Sequence, residues 1–392
     1  MDYRYGYPSP SSHSGRDLRI DFLRGVIMVY LVVVHFEYFS LFSLFAWEKV
    51  AVVSSAEGFV LLSGLVVGMV YRRRLEKDGL KQAAKLLWHR ALTLYRVNVV
   101  MIASIALLGL LPFVDVFEVT HWTRPGTEES YRLFPPADTS LLDYVWQTLL
   151  LKIGPHQYQI IGLYVVLLAF SPVALYLLAK RQTAALMLIS WALYGANAIL
   201  HFRITGARFE FGFPTLTWQL LFIHGLIAGF HREQVLGYLV SHGGRWLFHV
   251  SWVVILLFAF ITNNNPGSLF WPWGHWSLIP ADTYGVMYRD FFDKTTLGLG
   301  RILNNLALFV ASYVVLDRYW RIFNAAAGWL LIPLGQNSLY VFTLHIYAIL
   351  LVSNTVLPSL ENFWVNSAIH AGVILMIAVM VKQRILFGVI PR

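Results

Sequence analysis

The chain has 392 residues, of which 57% are hydrophobic and 16% aromatic but only 13% charged, about half the charge of an average soluble domain. Repeated long apolar runs with so little charge specify an all-α, polytopic membrane protein rather than a soluble enzyme. The net charge of +9 does not indicate a nucleic-acid partner, because the basic residues cluster between apolar runs, and the absence of cysteine excludes disulfides, zinc thiolate sites and an acyl group carried on a thiol.

Residues 1–19 open as a polar, Ser- and Tyr-rich stretch that predicts a disordered cytosolic tail, and residues 20–392 read as a single transmembrane domain. The first apolar run is too long for a cleavable signal and carries Asp21 and Arg24. About ten spans are predicted, at roughly 20–44, 51–71, 93–114, 160–179, 183–200, 215–231, 246–262, 297–316, 329–352 and 367–387. Residues 141–153 are too short to cross and read as an interfacial or re-entrant helix. Most of the 30 Lys and Arg residues then fall on one side, the basic loop 72–90 above all, which puts both termini in the cytosol. The long loops 115–140 and 263–295 fall outside.

Asp21, Arg24 and His35 share the first span, and ionisable groups inside a span are usually paired or functional. Eleven residues separate Arg24 from His35, close to a whole number of helical turns. Both therefore lie on one face with Met28 and Leu31, about 16 Å apart in depth. Asp21, one turn before Arg24, is placed to hold it. Counting from the span ends puts His35, Glu57 and His345 at a common depth, roughly 10 Å below the outer surface. A histidine oriented by a carboxylate suits general base catalysis on a hydroxyl, and the depth match favours Glu57 as the direct partner of His35. The same groups could instead only join helices, and Arg24 could either grip a phosphate or carboxylate or simply pair with Asp21.

The first segment, RDLRIDFLRGVIMVYLVVVH, with its Arg-x10-His spacing, resembles the opening helix of the membrane acyltransferase-3 superfamily. With AEGFVLLSGLVVGMVYRRR (56–74), GPHQYQIIGLYVVLLAFSP (154–172) and LGQNSLYVFTLHIYAILL (334–351), the chain is more closely similar to OpgC-type succinyltransferases of osmoregulated periplasmic glucans. The resemblance implies an inner-membrane enzyme with succinyl-CoA as cytosolic donor, a glucan hydroxyl as periplasmic acceptor and no permanently bound cofactor. It also implies that His35 and Arg24 are the essential His and Arg. The expected partners are thus acyl-CoA, glucan and the lipid bilayer, with room for a homo-oligomer.

On that reading the donor phosphates meet the basic loop of Arg72, Arg73 and Arg74, although much of that charge also serves as a topology signal. The pantetheine arm follows the first span past Arg24 to His35. A succinyl carboxylate needs a cation, for which Arg301 and Arg24 are candidates; Arg301 could equally snorkel to the interface. His156, Tyr158, Trp271 and Trp273 are candidate sugar contacts, the tryptophans serving equally as an interfacial belt. An acetyl donor with another polysaccharide is the nearest alternative, and a secondary transporter the rival from a different class, although Pro172 and Pro333 do not mark convincing repeats.

Overall fold

The computed structural model describes residues 17–46, 51–123, 129–136, 138–264, 275–355 and 362–391. Among them, seven helices are long and apolar enough to cross a membrane. Helix α1 (Leu18–His35) falls outside that group because Arg19, Asp21 and Arg24 crowd its first turns, yet it packs in the centre of the bundle. Asp17 caps it by accepting the backbone N–H of Arg19, so the helical domain starts slightly earlier than residue 20; residues 1–16 of the expected tail lie outside the described residues.

Helix α2 (Ser55–Leu108) joins two predicted spans without an intervening loop. The basic stretch 72–90 is itself helical, because it is rich in Lys, Arg, Glu, Leu and Ala, all strong helix formers. Its single departure is Gly79, at φ +78°, a conformation that a residue without Cβ adopts at little cost. The following connection holds one exception to the all-α expectation, a short antiparallel pair of β1 (His121–Thr123) and β2 (Ser130–Arg132) with Trp122 opposite Tyr131. Helix α3 (Leu141–Leu149) has nine residues, about 13 Å, too short for a hydrocarbon core of about 30 Å.

Helices α4 (Gln159–Ala179), α5 (Thr183–Leu200), α6 (Thr215–Phe230), α7 (His242–Thr262) and α8 (Leu299–Arg318) follow. The predicted span 329–352 divides into α9 (Trp329–Gln336) and α10 (Ser338–Thr355) at Asn337, whose backbone N–H and side-chain amide both donate to the Pro333 carbonyl. Helix α11 (Phe363–Lys382) closes the bundle.

Glycines let the central helices touch backbone to backbone. Gly64 and Gly68 on α2 face Gly225 and Gly229 on α6, and a Cβ at any of the four would strike a carbonyl of the opposing helix. This is the small-xxx-small packing of membrane helices, used here on both partners at once. Gly25 on α1 and Gly335 on α9 make a second such contact, against the carbonyls of Leu331 and Asp21. By contrast, α5 and α7 turn large apolar side chains outward, among them Leu188, Ile199, Trp246, Val253 and Leu256, as lipid-facing helices do.

Candidate functional site

Helix α1 presents one chemically distinct cavity at each end. At the Arg24 end, a cavity of about 610 Å³ is lined by Arg24, Arg73, Arg74 and Lys77 together with Asp17, Asp21 and the apolar stems of Val66 and Met69. Arg24 donates to Ser338 Oγ, the first residue of α10, and lies 3.9 Å from Asp21, whose other oxygen accepts from Gln336. The expected Asp21–Arg24 pairing is therefore present but loose. Asp17 is buried and bound by Arg19 and, at 2.5 Å, by Arg232. Burial raises its pKa, but the two arginines outweigh that and hold the carboxyl below its usual range. The cavity thus keeps an excess of positive charge and a volume suited to a nucleotide-sized anion. Arg72 does not take part. It bonds Glu76 at 2.9 Å and the Phe230 carbonyl at 2.8 Å, tying α2 to α6.

At the other end, His35 Nδ1 and His345 Nε2 are 2.9 Å apart, with the rings stacked at 5.0 Å. The Phe342 ring stands edge-on to both. The depth match of His35 and His345 thus becomes a direct contact. For Glu57 it does not. Its carboxylate accepts from Ser54 at the helix start and forms a buried ion pair with Arg301, whose Nε is 2.6 Å away. Glu57 is 0% exposed and Arg301 4%, so Arg301 is neither an interfacial snorkeller nor an uncommitted cation. Depth alone fixed the height of Glu57 and not the side of α2 it occupies.

A small cavity of about 40 Å³ opens beside His35, lined also by Ser54, Ser55, His156, Gln157 and Lys294. His156 Nε2 is 3.2 Å from Glu37, and Gln157 donates to the Glu118 carbonyl. His156 Nδ1 and Gln157 Oε1 are buried with no hydrogen-bond partner among the described residues, an arrangement that a bound hydroxyl would satisfy. Tyr158 is elsewhere: it is 1% exposed and hydrogen-bonds Thr343 across the core, so it is not presented to a ligand in this cavity. Trp271 and Trp273 lie outside the described residues.

A helix carrying Arg24 and His35 at opposite ends, each opening on its own cavity, is the arrangement the first segment's resemblance implies, and the likeness extends well past it. Residues 16–385 match the family of the OpgC protein. The chain belongs to the OpgC family. Membership carries its class of activity, acyl transfer in glucan modification by a multi-pass membrane protein. No curated protein and no solved structure matches the chain. In this OpgC protein the residue that sequence reading passed over is Lys294, which shares the cavity of His35. It follows Asp290 and Asp293 in a polar turn and so reads in sequence as an ordinary solvated charge.

Proposed function

We propose that the protein transfers a succinyl group from succinyl-CoA in the cytosol to a hydroxyl of a periplasmic glucan, with His35 as general base, in the bacterial inner membrane. The bias of Lys and Arg toward the Arg24 end supports a cytosolic position for that end and for both termini. We also read the family as a branch of the acyltransferase-3 superfamily, on the strength of the Arg-x10-His helix.

The observation that carries the reading is the His35–His345 pair beside a small polar cavity, on the helix whose other end faces the basic cavity. When His35 Nδ1–H donates to His345 Nε2, the tautomer of His35 is fixed and its Nε2 lone pair is left to accept a proton. The sugar oxygen then attacks the thioester carbonyl carbon. The new C–O bond forms, the C–S bond breaks, and the hydroxyl proton passes through His35 to the departing thiolate, releasing CoA as its thiol. Arg24, Arg73 and Arg74 hold the donor's phosphates. His156 and Gln157 hold the acceptor through the two groups left without partners. Between the cavities, α1 is lined by the buried side chains of Ile27, Met28 and Leu31, and the arm of the donor reaches His35 only when these move aside. Met28, unbranched and adaptable, is the one best able to yield.

The deciding experiment is transfer of radiolabel from succinyl-CoA to glucan by purified protein in liposomes, with acetyl-CoA and His35→Ala alongside. Label from succinyl-CoA that vanishes in the variant supports the reading. Label from acetyl-CoA alone would replace the donor and keep the chemistry. Full activity in a folded His35→Ala protein would remove His35 from its role.

A further inference from the structure

We infer that Lys294 binds the free carboxylate of the donor's acyl group and so sets the preference for a dicarboxylic donor. This rests on the acyl-transfer reading above and adds to it the residue that distinguishes succinyl from acetyl.

The argument begins with charge. Lys294 and His35 line the same cavity, and among the described residues the Lys294 ammonium has no hydrogen bond or ion pair, only the backbone carbonyl accepting from Leu297. Its Nζ only approaches the Phe213 ring, at 5.9 Å. Each carboxylate near the cavity has hydrogen-bonded partners of its own, and Lys294 acts on Glu57 only through its field. Glu57 is held by Arg301 and Ser54, Asp293 caps its own turn through Thr296, and Glu37 faces His156. An ammonium group half-withdrawn from water with every neighbouring anion already paired is a ready partner for an incoming anion. Arg301, the buried cation bonded to Glu57, is neutralised by that carboxylate and cannot serve.

Size narrows the choice. The cavity of about 40 Å³ corresponds to about three water molecules, so it admits the reacting hydroxyl of a sugar or a short acyl chain but neither a whole sugar ring nor a fatty acyl group. A four-carbon acyl chain is larger than that space and enters only as the lining side chains give way, with its thioester carbon at His35 and its carboxylate at Lys294, whereas an acetyl group leaves the ammonium without a partner. Lys294 forms no covalent bond during the transfer.

The test compares kcat/KM for succinyl-CoA and acetyl-CoA in the wild type, Lys294→Met and Lys294→Arg, in liposomes with glucan as acceptor. Lys294→Met is expected to lower the succinyl-to-acetyl ratio by about 10- to 100-fold, the usual size of a charge-assisted hydrogen bond, and Lys294→Arg to retain most of it. Free succinate should compete with the donor in the wild type and lose that effect in Lys294→Met. An equal fall for both donors would overturn the inference, since it would mark a structural role or a contact with the developing oxyanion. An unchanged ratio would overturn it as well. Both results leave wild-type transfer intact; a wild type that acylates glucan from neither donor would instead overturn the proposed function and this inference with it.

Discussion

Replacing Glu57 by Gln separates an architectural carboxylate from a catalytic one. The substitution keeps the shape of the side chain and removes its charge at the centre of a closed network. Ser54 donates to Oε2 through its backbone N–H at 3.0 Å and its hydroxyl at 2.6 Å, while two nitrogens of Arg301 converge on Oε1. Glutamine offers one acceptor oxygen to these donors and sets an NH2 against the others. Arg301 stays charged with 4% exposure and without its counter-ion, a situation that costs about 3–5 kcal/mol. At about 2 °C per kcal/mol for a chain of this size, the melting temperature in detergent should fall by about 6–10 °C. The paired change Glu57→Leu with Arg301→Met should recover more than half of that loss, because it removes both charges together. A Glu57→Gln protein that melts like the wild type but no longer transfers acyl groups would refute this reasoning and return Glu57 to the reaction.

Other outcomes follow from the same geometry. Gly225→Leu should prevent α2 and α6 from closing and abolish a folded species in size-exclusion chromatography, since its side chain would displace the Leu61 carbonyl; a folded, active variant would contradict the packing. Arg73→Ala with Arg74→Ala should raise the donor KM by roughly tenfold with kcat nearly unchanged, whereas Arg72→Ala should alter neither and only lower the melting temperature. His345→Phe should keep the stacked shape but remove the acceptor for His35, lowering kcat by about 100-fold or more, and a kcat near wild type would show that the pair is not catalytic. Asp17, with its pKa held down, contributes stability that is fully present above the unfolded value near 3.8 and is lost as pH falls through its lower folded value. The melting difference between wild type and Asp17→Asn should therefore stay constant from about pH 8 to 5; shrinkage by pH 5 would contradict the assignment.

The parts of this arrangement that depend on one helix were legible in sequence. The Arg24–His35 spacing, the shared face with Met28 and Leu31, and the membrane class all follow from periodicity and composition. Contacts between helices were less so. Matching depths put His345 and Glu57 level with His35 and favoured Glu57 as its partner, whereas the contact is made by His345, because depth carries no information about rotation around a helix axis. The helical run through 72–90 had a signal in its strong helix formers, outweighed by the expectation that a charged stretch between spans is a loop. The two GxxxG runs at 64–68 and 225–229 stand openly in the sequence, but only the fold tells which faces which. Lys294 had no signal, since its meaning comes from distant neighbours whose own charges are spent.

Asn337 and Ser338 deserve a mechanical reading. Past the bend at Asn337, α10 carries Ser338, bonded to Arg24, and, two turns further along the same helix, His345. At 1.5 Å per residue the two contacts lie about 10 Å apart along one stiff helix. The helix that meets the basic cavity at its first turn is therefore the same rigid body that fixes the tautomer of His35 two turns on.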